Sequence, residues 1–412
     1  MTLYKKVGLN TIYQLGAKAA TSIATIVGTA LITRHLGAEV FGEYSVVITY
    51  VMIFFMLSDF GVNATVVKVF SQNPEEAKTN FTSIVGLRVT LAVAVAVVAA
   101  LILPLMPYSY EIKIATMVGL SLLLFQSLSK ATGIIFQAFL RYNLQLIASV
   151  IGGISAVYIL WVGISKMDLN LTGLVALVAM GAFVPAIISI YLVKEYLTKN
   201  RWFNLNYWIY VIKDAYPLGL ALSMNLLMVQ SDRFLLSIMS SPLSVGFYNL
   251  SYRIFELLLV IPTFLMNSAY PILSKMKIDN PDRYKNIAKR TVSLLSMGAM
   301  LITLLTLSIS SPAISFIWGV GMIESAKALD VLSLGLIAFF VTAPLSWFLV
   351  IENKQKVLPF IYGFGFLLNL GLNLIVIPRY DFVGAAAVTV ITEFVVLALL
   401  IYQLRNLWGK EA

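Results

Sequence analysis

Phe81 to Met106 reads Phe-Thr-Ser-Ile-Val-Gly-Leu-Arg-Val-Thr-Leu-Ala-Val-Ala-Val-Ala-Val-Val-Ala-Ala-Leu-Ile-Leu-Pro-Leu-Met, a run of 26 residues in which Arg88 is the one charge. A helix crosses the ~30 Å hydrocarbon core of a bilayer with about 20 such residues. Outward from it, similar runs fall near 7–33, 43–67, 112–138, 143–165 and 169–193, then near 211–238, 246–272, 287–310, 327–351, 357–377 and 383–407. Of 412 residues, 60% are hydrophobic and 12% charged, whereas a soluble domain carries about 25% charged residues. No water-soluble fold hides that much apolar surface. The sequence therefore predicts an all-α membrane protein of about twelve transmembrane helices.

Between the sixth and seventh runs, Lys194 to Asp214 opens Lys-Glu-Tyr-Leu-Thr-Lys-Asn-Arg-Trp-Phe-Asn, polar and aromatic, and reads as an interfacial linker. It divides the chain into an N-lobe, residues 1–200 with spans one to six, and a C-lobe, residues 201–412 with spans seven to twelve. The lobes echo each other. Val40-Phe41-Gly42-Glu43-Tyr44 opens the second span and Ser244-Val245-Gly246-Phe247-Tyr248 the eighth, with 204 residues between the two tyrosines. The shared spacing and span order suggest a duplicated six-helix unit. An even number of spans per lobe makes the repeats parallel, related by an axis along the membrane normal.

Orientation follows from the 29 Lys and Arg. Nineteen fall on the side of both termini: 5, 6, 68, 78, 141, 194, 199, 201, 213, 275, 277, 283, 285, 289, 290, 354, 356, 405 and 410. Five, at 34, 113, 166, 327 and 379, fall opposite. This asymmetry predicts cytoplasmic termini and short outer loops. The net charge of +10 belongs to loops facing anionic lipid, and with no soluble basic domain nucleic acid is not expected as a partner. The start of the chain, with Lys5 and Lys6 followed by Asn10, Thr11, Gln14 and Lys18, lacks an unbroken apolar stretch and reads as an uncleaved first span.

Chemistry is scarce. With no Cys and one His, there are no thiolate ligands or disulfides and no metal-ligand spacing or Ser-His-acid set. No G-x-x-x-x-G-K-[ST] phosphate loop occurs. The sequence predicts neither an enzyme nor a bound metal or cofactor. His35, beside Arg34 in a short outer loop, reads as a solvated side chain.

Five cations remain inside the spans: Lys18, Arg88, Lys130, Arg233 and Arg253. A charge at the centre of a span costs about 2.5–3.5 kcal/mol on insertion scales, so each needs water or a partner. Asn10, Gln14, Lys18, Thr21 and Thr25 recur at helical steps on one face. Gln126, Lys130, Gly133 and Gln137 do the same in span four, and Asn249, Arg253 and Glu256 in span eight. These stripes suit either interhelical hydrogen bonding or a water-filled pathway. Lys18 and Lys130 have no acid within four residues on their own helix, which favours the pathway. Arg253 has Glu256 at i+3, Arg233 follows Asp232, and Arg88 reads as snorkelling to the cytoplasmic surface. Among the intramembrane acids, Asp59, Glu256 and Glu393 are candidates for binding a coupling ion, with pairing to a neighbouring cation as the competing role.

Thr33-Arg34-His35-Leu36-Gly37-Ala38-Glu39-Val40-Phe41-Gly42-Glu43-Tyr44-Ser45 is similar to the R-x-L-G-x-x-x-F-G-x-Y-S signature after the first helix of polysaccharide exporters. These are the lipid-linked oligosaccharide branch of the multidrug, oligosaccharidyl-lipid and polysaccharide flippase superfamily. Ser58-Asp59-Phe60-Gly61, Gln230-Ser231-Asp232-Arg233 and Val245-Gly246-Phe247-Tyr248-Asn249 agree with it. The resemblance implies two six-helix lobes around a V-shaped cavity that opens alternately to either side. It implies outward movement of a polyprenyl-diphosphate-linked oligosaccharide for surface polysaccharide such as O-antigen. The setting would be the inner membrane of a prokaryote, with the protein working as a monomer beside glycosyltransferases or a polysaccharide polymerase.

The chemistry of such a substrate matches the stripes: cations for the diphosphate, amides and hydroxyls for the sugar, the bilayer for the tail. Substrate contacts are therefore expected at Lys18, Lys130, Arg233, Arg253, Asn10, Gln14, Gln126 and Asn249. Peptidoglycan-precursor flippases resemble it less, because span two has no arginine and the two extra helices of that branch are missing. Gly37 and Gly42 are expected to make a tight outer turn, with Tyr44 as an interfacial anchor. Two other readings compete. A cation-coupled drug exporter of the same superfamily would commonly carry an acid in span one, where this chain has Lys18. A membrane glycan polymerase or ligase would need a substantial outer loop.

Overall fold

The protein is described as a computed structural model covering residues 3–198 and 202–405, without side-chain placement at 3–8 and at most of 217–229 and at 267, 268 and 271. Helices follow one another with short breaks: α1 (Leu3–Asp59), α2 (Val62–Gln72), α3 (Pro74–Ile102), α4 (Tyr110–Gly119), α5 (Ser121–Ala138), α6 (Tyr142–Lys166), α7 (Leu171–Leu192), α8 (Leu205–Met239), α9 (Pro242–Asp279), α10 (Pro281–Trp318), α11 (Ser325–Leu334), α12 (Leu336–Ile351) and α13 (Leu358–Gln403). No strand occurs among the described residues.

The lengths explain the span count. At 1.5 Å per residue, the 57 residues of α1 would stretch about 85 Å, far more than a bilayer accommodates. α1 therefore breaks, at Gly37 (φ 88°, ψ 172°), a conformation open to glycine because it has no Cβ. The 46-residue α13 breaks at Asp381 (φ 52°, ψ −143°), a positive-φ conformation outside the left-handed helical region and normally taken by glycine. The Ser244 hydroxyl, at the start of α9, donates to the Asp381 carboxylate and pins that break. α11 and α12 form one span bent by 47°, and α4 and α5 follow each other across Leu120. With α1 and α13 crossing twice, α4–α5 and α11–α12 once each, and α3, α6, α7, α8, α9 and α10 once each, the element order gives twelve crossings. The turn forms at Gly37, while Gly42 is helical and Tyr44 is buried.

Packing divides the chain into two compact units, Met1–Leu226 and Leu227–Ala412. The expected lobes met at residue 200; the first unit extends further because the linker is fastened to it. Trp208 is buried and its Nε1 donates to Ser83 O at 2.8 Å. Tyr207 Oη donates to Glu76 at 3.0 Å, Thr198 N donates to Thr82 Oγ1 at 2.7 Å, and Tyr196 stacks on Phe139. Burial and the Glu76 carboxylate push the Tyr207 hydroxyl pKa above its ordinary range. The core of this unit gathers Phe70, Phe81, Ile84, Phe136, Trp208 and Val211. That of the second gathers Met266, Tyr284, Leu345, Phe348, Val396 and Leu400.

The first unit also holds a close backbone crossing. Phe60 (φ 33°) and Gly61 (φ 74°) turn the chain from α1 into α2. They press on α8 so tightly that a Cβ on Gly219 would lie 2.4 Å from Phe60 O. That turn leaves Asp59 at the end of α1.

Candidate functional site

In the first unit, α1, α2, α5, α6 and α7 line a cleft formed by two adjoining compartments of about 480 and 320 Å³. Gln126, Ser129, Gly133, Gln145, Ala182 and Pro185 line both. Thr21, Thr25 and Ser149 belong to the larger; Asn63, Lys130 and Gln137 to the smaller. The polar stripe of span four therefore faces an opening. Pro185 sits against Gly152, where a Cβ would come within 2.4 Å of it, so α6 and α7 meet without a side chain between them. No Asp or Glu lines either compartment.

The side chains of Asn63, Gln126, Lys130, Gln137 and Gln145 make no hydrogen bond or ion pair with any described residue. Asn63 Oδ1 and Gln145 Oε1 are buried acceptors left without a donor. In a packed membrane bundle such groups normally bond to neighbouring helices. Here they stand around a void. Thr21 and Thr25 bond back to carbonyls of their own helix, Thr21 to Ala17 O at 3.1 Å and Thr25 to Thr21 O at 2.8 Å. Lys18 is exposed one turn before Thr21, Gln14 is half-buried and Asn10 is buried. The α1 stripe thus turns its threonines to the cleft, while Lys18 is not among the residues lining it.

Elsewhere the intramembrane charges close on each other. Arg88 does not snorkel: it is fully buried and pairs with Asp59, while its carbonyl accepts from Ser127 at 3.1 Å. The α1–α2 turn brings the carboxylate there, which no spacing along one helix reveals. In the second unit Glu256 has a partner beyond its own helix. It pairs with Arg233 at 2.7 Å, and Arg233 also donates to Gln230 at 3.2 Å and lies 4.1 Å from the Tyr252 ring centre. Asp232 accepts from its neighbour's backbone, Arg233 N at 2.8 Å, from Tyr248 Oη, and from Thr389 Oγ1 at 3.0 Å. Glu393 is buried and accepts from Thr342 Oγ1. Asn249 and Arg253 are half-buried on α9. His35 is exposed, with Nδ1 3.0 Å from Leu31 O.

The structure therefore brings Gln126 and Lys130 together in one cleft and gives Arg233, Asp59 and Glu256 protein partners. Asn63 and Gln145 escape the sequence reading. Gln145 and Ser149 sit four residues apart on α6, a pattern too short to separate from ordinary helix packing, and Asn63 follows the Phe60–Gly61 turn with no periodicity at all. Among the described residues no group of three or more His, Cys, Asp or Glu could hold a metal.

The protein family described as polysaccharide biosynthesis protein matches residues 7–277. No curated protein sequence matches the chain. Among solved structures, the fold is similar to the lipid II flippase MurJ in an inward closed conformation, with a TM-score of 0.78 and 15% identity over 96% of this chain and 87% of that one. An inward-facing multidrug resistance MATE family transporter of the MOP superfamily gives a TM-score of 0.76 at 12% identity, covering 95% of this chain and 96% of that one. A MOP superfamily transporter from Pyrococcus furiosus gives 0.58 at 14% identity, covering 96% of each.

Proposed function

Because the chain belongs to the polysaccharide biosynthesis protein family, we propose that it is a flippase carrying a polyprenyl-diphosphate-linked oligosaccharide across the membrane by alternating access. The observation that carries this reading is the acid-free polar cleft in which Lys130 stands among four unbonded amide side chains. A diphosphate asks for a cation and no carboxylate; a sugar asks for neutral donors and acceptors. A small cationic drug asks for the reverse, an acid in the cleft.

Both termini are assigned to the cytoplasm of a prokaryotic inner membrane on the 19-to-5 division of loop cations. Of the cations in that division, Lys5, Lys6, Lys199, Arg201 and Lys410 lie outside the residues whose side chains are described. Surface polysaccharide such as O-antigen is the intended product. A glycosyltransferase system supplies the lipid-linked glycan, and a polymerase consumes it. Asn10, Gln14, Lys18, Asn249 and Arg253 complete the proposed substrate contacts, Lys18 as a second cation. Of the carboxylates proposed to bind a coupling ion, Asp59 and Glu256 have arginine partners, whereas among the described residues Glu393 accepts from the Thr342 hydroxyl and has no cationic partner. Glu393 is therefore the proposed coupling residue.

The test is reconstitution of the full chain into vesicles carrying a fluorescent polyprenyl-diphosphate oligosaccharide in the inner leaflet. Label should become accessible to an external quencher only in vesicles that contain the protein. Unchanged accessibility, together with export of a lipophilic cation from the same vesicles, would overturn the reading in favour of a drug exporter.

A further inference from the structure

We infer that the smaller compartment of the cleft recognises the junction of sugar and phosphate, with Asn63 and Gln145 accepting hydrogen bonds from hydroxyls of the first sugar and Lys130 meeting the adjoining phosphate. The inference rests on the flippase reading and adds which part of the substrate this compartment reads.

Three observations converge. Asn63 on α2 and Gln145 on α6 stand on different walls of the same 320 Å³ space, and both have a buried amide oxygen with no donor. Several other orphan atoms belong to side chains engaged through another atom: Arg233 through its terminal nitrogens, Asn373 through its amide nitrogen to Asn369, Asp381 through its second oxygen to Ser244. Asn63 and Gln145 have no side-chain hydrogen bond at all among the described residues. Lys130, the one charge in the lining, is likewise unbonded.

These requirements favour a ligand that carries both donors and negative charge. A phosphate is rich in acceptors and meets Lys130, but gives nothing to two amide oxygens that need donors. A hydrocarbon chain satisfies neither. A hydroxyl-bearing ring joined to a phosphate satisfies all three, donating on one side and presenting negative charge on the other. The 320 Å³ space has room for one such unit and is continuous with the larger compartment. The rest of the glycan extends into the larger compartment, where Gln126, Ser149 and Thr25 supply neutral polar contacts.

The experiment compares two probes on the purified full chain in nanodiscs: polyprenyl diphosphate without sugar, and polyprenyl diphosphate carrying one hexose. Gln145→Met and Asn63→Leu should each weaken binding of the hexose-bearing probe about five- to tenfold and leave the bare probe unchanged. Lys130→Gln should weaken both. An apolar group in place of an orphan acceptor removes a desolvation penalty, so Gln145→Met should hold or raise the melting temperature of the protein without substrate. Equal losses for both probes in the amide variants, or no loss for either, would overturn the inference while leaving the flippase reading intact. Failure of the unaltered protein to bind either probe would overturn both.

Discussion

The two units treat their intramembrane charges differently. In Leu227–Ala412, Asp232 is held by Tyr248 and Thr389, Arg233 by Glu256, and Glu393 by Thr342. In Met1–Leu226, Arg88 and Asp59 close on each other in the same way, but Lys130 and the amides around it are bonded to nothing described. A polar residue inside a membrane span is therefore weak evidence of a ligand site by itself. The informative quantity is how much of its hydrogen-bonding capacity the protein already uses.

The largest effect should come from the closed pair of the first unit. Asp59→Ala strands the fully buried Arg88 guanidinium and should cost about 3–5 kcal/mol, read as collapsed membrane abundance and a lower melting temperature. Replacing both partners, Arg88→Met with Asp59→Leu, should recover most of the abundance. A single variant as stable as the parent would show that the pair does not hold the unit together. Next, Asp232→Ala removes the acceptor of two buried hydroxyls and should cost about 1–3 kcal/mol in the same measurement. If it left stability unchanged and abolished transport, the second unit would have to be reclassified as open.

Lys130→Ala should instead leave the melting temperature in place and lower glycolipid flipping by about tenfold, with Lys130→Arg retaining more. Lys18, outside the cleft lining and proposed as a second cation, should show a smaller version of that order: Arg above Gln above Glu, measured as export at matched expression. Equal export by the Gln and Arg variants would remove Lys18 from the site. The smallest change is expected from Glu256→Gln. Glu256 is 45% exposed, so losing its charge should shift stability by less than about 1 kcal/mol.

The span order was legible because apolar runs about 20 residues long admit few alternatives in a bilayer. The stripe of Gln126, Lys130, Gly133 and Gln137 was legible for a similar reason: helical spacing puts these residues on one face whatever the neighbours are. Whether such a face meets a void or another helix depends on contacts across the chain. That is why Arg88, with no acid nearby on its own helix, read as a snorkelling residue, although the turn at Phe60–Gly61 delivers Asp59 to it. The same blindness missed Arg233 as a partner of Glu256, because it comes from another helix, 23 residues earlier. Asn63 and Gln145 became visible only once the packing exposed what their oxygens lack.

The seam between α1 and α6 has two sides. Ala24 and Gly153 line the polar cleft and also an apolar groove of about 480 Å³ on the opposite side, where Ile23, Ile154, Tyr158 and Trp161 are exposed. At Gly153 an added Cβ would sit 3.0 Å from the Ala24 methyl. Cleft and groove are thus separated at this seam by small residues, which dispersion contact holds together. Such contact loses a quarter to a half of its strength when a gap of about 0.5–1 Å opens. A larger side chain at Gly153 would have to displace Ala24, so the approach of α1 to α6 at this seam depends on both residues being small.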